Sequence, residues 1–287
     1  MSTSVLFDVP GPRTRARHRI YSVVSILVII AAVAFAGWRL YAEGQFEYRL
    51  WEPFLTPFYI AAIGEAWFQT VSMAVLAILG ALVVGVVFGV GKLSDHAFVR
   101  WPCWLVVEFF RAIPVIMLMI LCFYTVFGGL DIYQAAFMAC VLGLTIYNGA
   151  VLAEIFRAGV LAVPKGQAEA AYALGMGKTQ VMTFILLPQA VKIMIPAIIS
   201  QCVVALKDTS LILIVTGVGL TRVAKTMPQE FHNMVPTTIV ITLLYVITNL
   251  VLTGLAKLAQ KRLVGEKKPL EIGATSMVDE ADGLAAR

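Results

Sequence analysis

The chain has 287 residues, of which 60% are hydrophobic and only 14% are charged, and its mean hydropathy is +0.87. This composition excludes a soluble globular domain with one packed core and predicts an integral membrane protein. The formal net charge of +5 would suit nucleic-acid binding, but the basic residues cluster at the ends of apolar runs. Their placement indicates membrane topology instead, so we expect no nucleic-acid partner.

Residues 1–19 form a polar arm that ends in four arginines, Arg13, Arg15, Arg17 and Arg19. By the positive-inside rule we expect this arm to stay in the cytoplasm, where it can touch anionic lipid headgroups. Residues 20–41 are a first spanning helix that ends at Trp38 and Tyr41, which suit the membrane interface. The run is too long for a cleavable signal peptide.

Two further spans are predicted next. Residues 70–90 form the second, and its glycines should let another helix approach closely; they are Gly80, Gly85 and Gly89. The third span covers residues 104–127 and contains Pro114. Because proline removes a backbone donor, we expect this span to bend or break there, with the freed polar groups facing protein or water.

The remaining apolar segments complete a six-span bundle. Spans are predicted at residues 134–156, 189–206 and 236–258. The apolar run 211–220 is too short to cross a membrane, so we predict a re-entrant or surface helix. Residues 259–287 are predicted to be a disordered cytoplasmic tail.

Charge placement favours an even number of spans, with both termini in the cytoplasm. In this topology fifteen of the 22 Lys and Arg residues fall in inner segments and five in outer ones. An odd number of spans would place one basic terminus, or the polar loop between the fourth and fifth spans, outside. We therefore expect a multi-pass membrane protein.

The polar loop, residues 160–188, is rich in alanine. Residues 167–174 should form a short helix, with Glu169 in its first turn and Gly175 as a left-handed cap. Its small side chains would let another protein's backbone approach closely, so the pattern indicates a docking surface. An ordinary loop between two spans can carry the same kind of helix.

A second short helix is predicted in the same loop. It should begin near Lys178 and end before Pro188, because proline is poorly tolerated inside a helix.

Several motifs in and around this loop share the spacing of one family. The loop itself carries Glu169, Ala170, Ala171, Gly175, Leu187 and Pro188. Further motifs lie at residues 147–150, 153–159 and 206–211. Together they resemble the EAA-loop permease subunits of bacterial ABC importers, in the polar amino-acid branch and most closely the actinobacterial glutamate type. The resemblance covers about residues 65–255.

The resemblance implies an all-α, MetI-like permease bundle of about six transmembrane helices, with the permease domain at residues 60–258 and an extra first helix before it. The loop would be the coupling segment that docks into a cassette ATPase. The residues implied in docking are Gly166, Gln167, Glu169, Ala170, Ala171, Leu174 and Gly175.

The resemblance also implies partners and an energy source. Two separate ATPase subunits would hold ATP and Mg²⁺, a second permease subunit would complete the pore, and an extracytoplasmic amino-acid-binding protein would deliver substrate. For the chain itself we expect no enzyme activity, catalytic residue, cofactor or metal. The run from Tyr172 to Thr179 ends like a phosphate-binding loop, but Tyr172 stands where that motif needs its first glycine.

Candidate substrate residues follow from the charges of an amino acid, which presents a carboxylate and an ammonium. Arg111 precedes Pro114, so its guanidinium and the open backbone there could hold a carboxylate. Residues 111–114 read Arg-Ala-Ile-Pro where the branch usually has Arg-Gly-Thr-Pro, which departs from the family pattern. Asn148, within the 147–150 motif, is included in the candidate pathway.

A second group lies near the outer end of the fifth span. Lys207 and Asp208 supply both signs of charge, and Thr209 and Ser210 supply further donors. A helix cap with a surface ion pair would explain the same four residues.

Two charged pairs stand three residues apart inside spans: Glu108 with Arg111, and Glu154 with Arg157. Ionisable groups in a membrane are costly and suggest function, but either pair can be a structural ion pair, and we favour that role for Glu154 and Arg157.

The function indicated is import of polar amino acids, with glutamate or aspartate ahead of glutamine and basic amino acids. Two alternatives stay open. One is a secondary transporter or channel that needs no ATPase, and the other is a structural subunit whose partner holds the substrate.

Overall fold

The computed structural model describes residues 12–264, and every regular element in that range is helical. The helices are α1 (Pro12–Ala42), α2 (Tyr48–Trp51), α3 (Pro57–Lys92), α4 (Ala97–Ala112), α5 (Val115–Leu121), α6 (Ile132–Leu161), α7 (Lys165–Ala173), α8 (Lys178–Gln180), α9 (Leu187–Asp208), α10 (Leu220–Phe231) and α11 (Met234–Val264). Five continuous segments of this range are long and apolar enough to cross a membrane, and a bent pair of helices brings the total to six. The predicted all-α bundle of about six spans is confirmed.

The first helix begins inside the predicted basic arm. α1 starts at Pro12, so residues 12–19 are already helical, while residues 1–11 of the arm lie outside the described range. All residues from 17 to 36 are exposed, which leaves the apolar surface of α1 to lipid or to another subunit.

The centre of the bundle is the pair of parallel helices α3 and α6. A side chain at Gly85 would meet the Leu152 Cβ at 2.7 Å, and one at Gly89 would meet the Ala153 carbonyl oxygen at 3.1 Å. The glycines therefore permit the close approach expected from their spacing. A buried core of α3, α5 and α6 side chains, including Met73, Met119 and Leu144, fills the space beside this pair.

The third span breaks at Pro114, as predicted. α4 ends at Ala112, α5 begins at Val115, and the two axes differ by 98°. Ile113 is extended, with φ −82° and ψ 129°, because the residue before a proline is disfavoured in the helical region. α4 starts at Ala97, earlier than the predicted residue 104.

The prediction that the second helix of the polar loop ends before Pro188 is wrong. α8 continues through a π-helical segment, Val181–Leu186, directly into α9, so that Lys178–Ile214 is one helical span. Pro188 lies in the first turn of α9 and needs no break, because the widened turn before it accommodates the missing donor.

The prediction of a re-entrant or surface helix at residues 211–220 has the wrong bounds. A 3-10 segment, Thr209–Ile214, extends α9, and the chain then turns through Gly217 and Gly219, whose φ angles are +81° and +64°. These two glycines end one helix and begin the next, so the amphipathic surface helix is α10, at Leu220–Phe231.

The last span runs beyond its predicted end. α11 extends to Val264, so residues 259–264 of the predicted tail are helical, and residues 265–287 lie outside the described range.

Candidate coupling loop and transport pathway

The predicted coupling segment is a short helix closed by glycine. Pro164 precedes α7 in an extended conformation, and Gly175 follows it with φ +80°. The Gly175 N–H donates to the Tyr172 carbonyl at 2.9 Å, and the Met176 N–H donates to the Ala171 carbonyl at 3.2 Å. These two bonds form a Schellman motif, so the predicted left-handed cap at Gly175 is present.

The residues predicted to dock with the ATPase are exposed with one exception. Gly166, Gln167, Glu169, Ala170, Leu174 and Gly175 are exposed. Leu174 is 84% exposed and leaves an apolar side chain at the end of the helix. Ala171 is buried and holds α7 against the protein.

Two side-chain contacts link this loop to the spans. The Gln189 amide, in the first turn of α9, donates to the Gln167 carbonyl oxygen at 3.5 Å. Lys178 forms an ion pair with Asp95 in the loop between α3 and α4. The hydrogen bond from Lys178 lowers the pKa of Asp95 below its usual value, so this carboxylate stays ionised and the link persists at neutral pH.

The two charged pairs predicted from spacing are joined into one network. Arg111 contacts Glu108 at 3.3 Å, and Arg157 contacts Glu154 at 2.5 Å, as predicted. Lys92 bridges both carboxylates, at 3.3 Å to Glu108 and 2.5 Å to Glu154. Its side chain is 4% exposed, so the ends of α3, α4 and α6 are connected through a buried ammonium.

Sequence reasoning missed Lys92 because its partners lie 16 and 62 residues away. The only local signal is a lysine at the end of an apolar helix, which normally marks the interface. Its burial is determined by the close packing of α3 and α6.

Asn148 lies buried between α6 and α9. Its amide donates to the Leu144 carbonyl at 2.9 Å, and its carbonyl oxygen accepts from the Gln201 amide at 2.6 Å. Gln201 was also missed, because a single glutamine inside an apolar segment has no distinctive pattern.

The group at residues 207–210 is divided between two environments. Lys207 and Ser210 are exposed, whereas Asp208 is partly buried and Thr209 fully buried. Thr209 donates to the Leu206 carbonyl at 2.7 Å and lies 3.4 Å from the Tyr245 hydroxyl. Within residues 12–264 no ion pair joins Lys207 to Asp208, but the Ser210 hydroxyl donates to the Lys207 carbonyl at 2.8 Å, so a helix-terminal cap remains an explanation of these residues.

The candidate substrate residues therefore occupy three places. Arg111 and Pro114 lie at the α4–α5 break, Asn148 lies between α6 and α9, and residues 207–210 lie at the end of α9. Within residues 12–264 no hydrogen bond or ion pair joins one of these places to another.

Comparison with known proteins places the chain in a family. The sequence model described as "Binding-protein-dependent transport system inner membrane component" matches residues 81–265. The glutamate transport system permease protein GluD of Corynebacterium glutamicum is 40% identical over 228 residues, which cover 78% of this chain and 83% of that protein. The probable glutamine ABC transporter permease protein GlnM of Bacillus subtilis is 31% identical over 199 residues, covering 69% and 92% of the two chains.

A solved structure agrees with these relatives. A chain from the crystal structure of an amino acid ABC transporter with histidines is 28% identical, with a TM-score of 0.65, and the match covers 71% of this chain and 95% of that one. This membership decides against a secondary transporter or channel, and a transport subunit of this kind is not an enzyme. The chain belongs to the inner-membrane components of binding-protein-dependent transport systems, and it is a MetI-like, multi-pass amino-acid permease of an ABC import system that works with ATPase and binding-protein partners.

Proposed function

We propose that this chain carries glutamate, or the related aspartate, into the bacterial cell. The support for glutamate is the 40% identity to a glutamate permease over most of both chains. Glutamine is the second candidate, because a probable glutamine permease is also 31% identical. Both substrates have the same α-carboxylate and α-ammonium, so the distinction depends on how the side chain is recognised.

The proposed energy source is a pair of cassette ATPase subunits, which would bind ATP and Mg²⁺ outside this chain. A second permease subunit, identical or different, would complete the pathway, and an extracytoplasmic binding protein would deliver the amino acid. In the proposed orientation both termini and α7 face the cytoplasm, which agrees with the positive-inside rule.

The observation that carries the proposal is the exposed, glycine-capped helix α7. Its exposed Leu174 would enter an apolar groove on the ATPase, while Glu169 would accept hydrogen bonds at the rim. ATP-driven closure would then displace α7. The displacement would reach α9 through Gln167 and Gln189, and the α3–α4 loop through Lys178 and Asp95.

The proposed substrate contacts place opposite charges along the pathway. Arg111 would bind a carboxylate beside the open backbone at Pro114, because its contact with Glu108 uses only one guanidinium nitrogen. Asp208 would bind the ammonium, with Lys207, Thr209 and Ser210 as neighbouring donors. Asn148 would contribute an amide along the way.

Uptake in cells tests the substrate. Cells that lack this chain and re-express it would be given radiolabelled glutamate with a competitor panel of aspartate, glutamine, arginine and histidine. We expect glutamate uptake to be restored and aspartate to compete best. Stronger competition by glutamine would identify the second candidate, and no restored uptake would defeat the proposal.

The variant Arg111→Gln tests the substrate contact. We expect glutamate uptake to fall at least about tenfold, the cost of losing one charge-assisted hydrogen-bonded pair, while the amount of assembled transporter stays unchanged. Arg39→Gln is the matched control, because Arg39 forms an exposed pair with Glu43 in α1. Unchanged uptake in Arg111→Gln would assign the substrate contact to other residues or to the partner permease.

A further inference from the structure

A cavity of about 380 Å³ lies where the ends of α3, α4 and α6 meet, and its lining is mostly charged. Lys92 comes from α3, Arg100 and Glu108 come from α4, and Glu154 and Arg157 come from α6. None of the proposed coupling residues lines this cavity, so it calls for a separate explanation.

The charges around the cavity do not balance. The network joins three cations, Lys92, Arg111 and Arg157, to the carboxylates of Glu108 and Glu154. Among the residues that line the cavity, the three cations Lys92, Arg100 and Arg157 outnumber the two carboxylates by one positive charge. The neighbouring pair of Asp95 and Lys178 contributes equal and opposite charges and leaves the surplus unchanged. An uncompensated surplus beside a membrane core is costly and favours a bound anion.

Two guanidinium groups have donors to spare. Arg100 uses only Nη1, which donates to the carbonyls of Ser94 at 3.1 Å and Asp95 at 3.3 Å. Arg157 uses Nε and Nη2, both on Glu154. Among the described residues, the remaining nitrogens of these two arginines have no partner. They supply a forked set of donors, which suits the oxygens of a phosphate.

Two tryptophans indicate that the cavity lies at the membrane interface. Trp101 and Trp104 also line it, pack edge to face at 5.6 Å, and are 63% and 44% exposed. They share one face of α4 with Glu108 and Arg111, at helical spacings of three and four. Tryptophan is enriched where headgroups meet acyl chains, so this face presents apolar rings to lipid and cations to headgroups.

We infer that this cavity binds the headgroup phosphate of an anionic phospholipid from the cytoplasmic leaflet. Basic pockets between transmembrane helices on the cytoplasmic side suit such headgroups. The phosphate neutralises the surplus charge through Arg100 and Arg157, and the acyl chains lie along the two tryptophans. The bound lipid thus stabilises the joined ends of α3, α4 and α6. The choice of leaflet rests on the orientation given in the proposed function.

Native mass spectrometry of the purified permease, assembled with its ATPase in detergent, tests the inference. The complex would be titrated with phosphatidylglycerol, with phosphatidylcholine of the same acyl chains, and with tail-less glycerol 3-phosphate. We expect one site per chain that prefers phosphatidylglycerol, and we expect Arg100→Gln to weaken that binding about fivefold, the effect of one basic residue at an anionic surface. Arg100→Lys keeps the charge but lacks the forked donors, so its binding should lie between those of wild type and Arg100→Gln.

Lys257→Gln is the matched control, because Lys257 is an exposed lysine of α11 outside the cavity. Equal retention of the two phospholipids, or equal losses in Arg100→Gln and Lys257→Gln, would overturn the inference. Glycerol 3-phosphate binding as tightly as phosphatidylglycerol would identify a free-phosphate site instead. Loss of the ATPase from Arg100→Gln with unchanged lipid binding would show that a protein partner covers the cavity.

The two proposals fail in different ways. Failure of the proposed function would appear as absent glutamate uptake, and a reversed orientation would appear as outside labelling of Lys165. Neither result depends on the lipid measurement.

Discussion

Gly219 is the residue at which α10 meets α3. Its φ is +64°, and a side chain there would lie 2.9 Å from the Ala66 carbonyl oxygen and closer still to the Thr70 hydroxyl. The same hydroxyl accepts a hydrogen bond from the Leu220 N–H at 2.9 Å, so the helix start and the glycine share one contact. Both the backbone conformation and the lack of space require glycine here.

We therefore expect Gly219→Ala to destabilise the protein by about 2 kcal/mol or more, since a left-handed conformation and a steric clash both add cost. Thermal unfolding of the purified protein in detergent should show a melting temperature lower by roughly 4–8 °C. Gly64→Ala is the control, because a side chain at Gly64 in α3 would meet nothing within 4 Å. Equal melting temperatures for the two variants would contradict this explanation.

Lys92 is the residue of the charged network that contacts both carboxylates, Glu108 and Glu154. Lys92→Met would leave Glu108 and Glu154 with one cation each, and we expect a loss of about 2–3 kcal/mol. The estimate is below that for a fully buried pair, because the two carboxylates are 39% and 24% exposed. Melting temperatures of Lys92→Met and of the exposed control Lys257→Met would be compared. A similar small effect in both would show that the bridge contributes little.

The glycine cap of helix α7 gives a test of the proposed coupling to the ATPase. Gly175→Ala places a side chain at φ +80° without a clash, so the helix end should loosen at a cost of about 1 kcal/mol. We expect the variant to insert normally and bind its ATPase, but to transport less substrate for each ATP hydrolysed. Gly177→Ala is the control, because Gly177 has an ordinary φ of −71° and similarly open surroundings.

The measurement is the ratio of uptake to ATP hydrolysis in reconstituted vesicles. Equal ratios for Gly175→Ala and Gly177→Ala would show that the cap at Gly175 has no role in coupling.

The link between the two loops should depend on pH. The pKa of Asp95 is lowered by Lys178, so the pair stabilises the folded state above the ordinary aspartate pKa of about 3.9, and this stabilisation is lost as the pH falls through the lower, folded value. We expect the melting temperatures of wild type and Asp95→Asn to differ slightly at neutral pH and to converge once the pH falls below the folded pKa of Asp95. A difference that persists in acid would mean that the variant acts by another route.

Local chemistry explains which elements could be predicted. The break at Pro114 and the cap at Gly175 follow from backbone preferences of one residue, so the sequence alone predicts them. The π-helical segment before Pro188 was not predicted, because a proline after a helix is more often read as its end than as the start of a continuing helix. The bridge at Lys92 and the Asn148–Gln201 bond escape prediction for a different reason, since each joins residues far apart in the chain.

At the scale of the whole molecule, the bundle is incomplete in a way that fits a subunit. α1 is exposed along residues 17–36, and within residues 12–264 the candidate substrate residues lie at three separate places. Both features are expected when the pathway is completed by a second permease. The number of spans and the family were predictable from composition and motifs, but the arrangement of the pathway was not, because in the proposed assembly a second chain contributes part of its surface.

The central claim is that α7 transmits ATP-driven motion to an amino-acid pathway. Its most direct test is ATP-dependent uptake of labelled glutamate by vesicles that contain this permease, its ATPase and its binding protein, with wild type compared with Leu174→Asp. We predict ATP-dependent uptake in wild type and at least about a tenfold loss in Leu174→Asp, because burying an unpaired carboxylate in an apolar groove costs more than 1.4 kcal/mol. Uptake that proceeds without ATP, or that is unchanged in Leu174→Asp, would contradict the account.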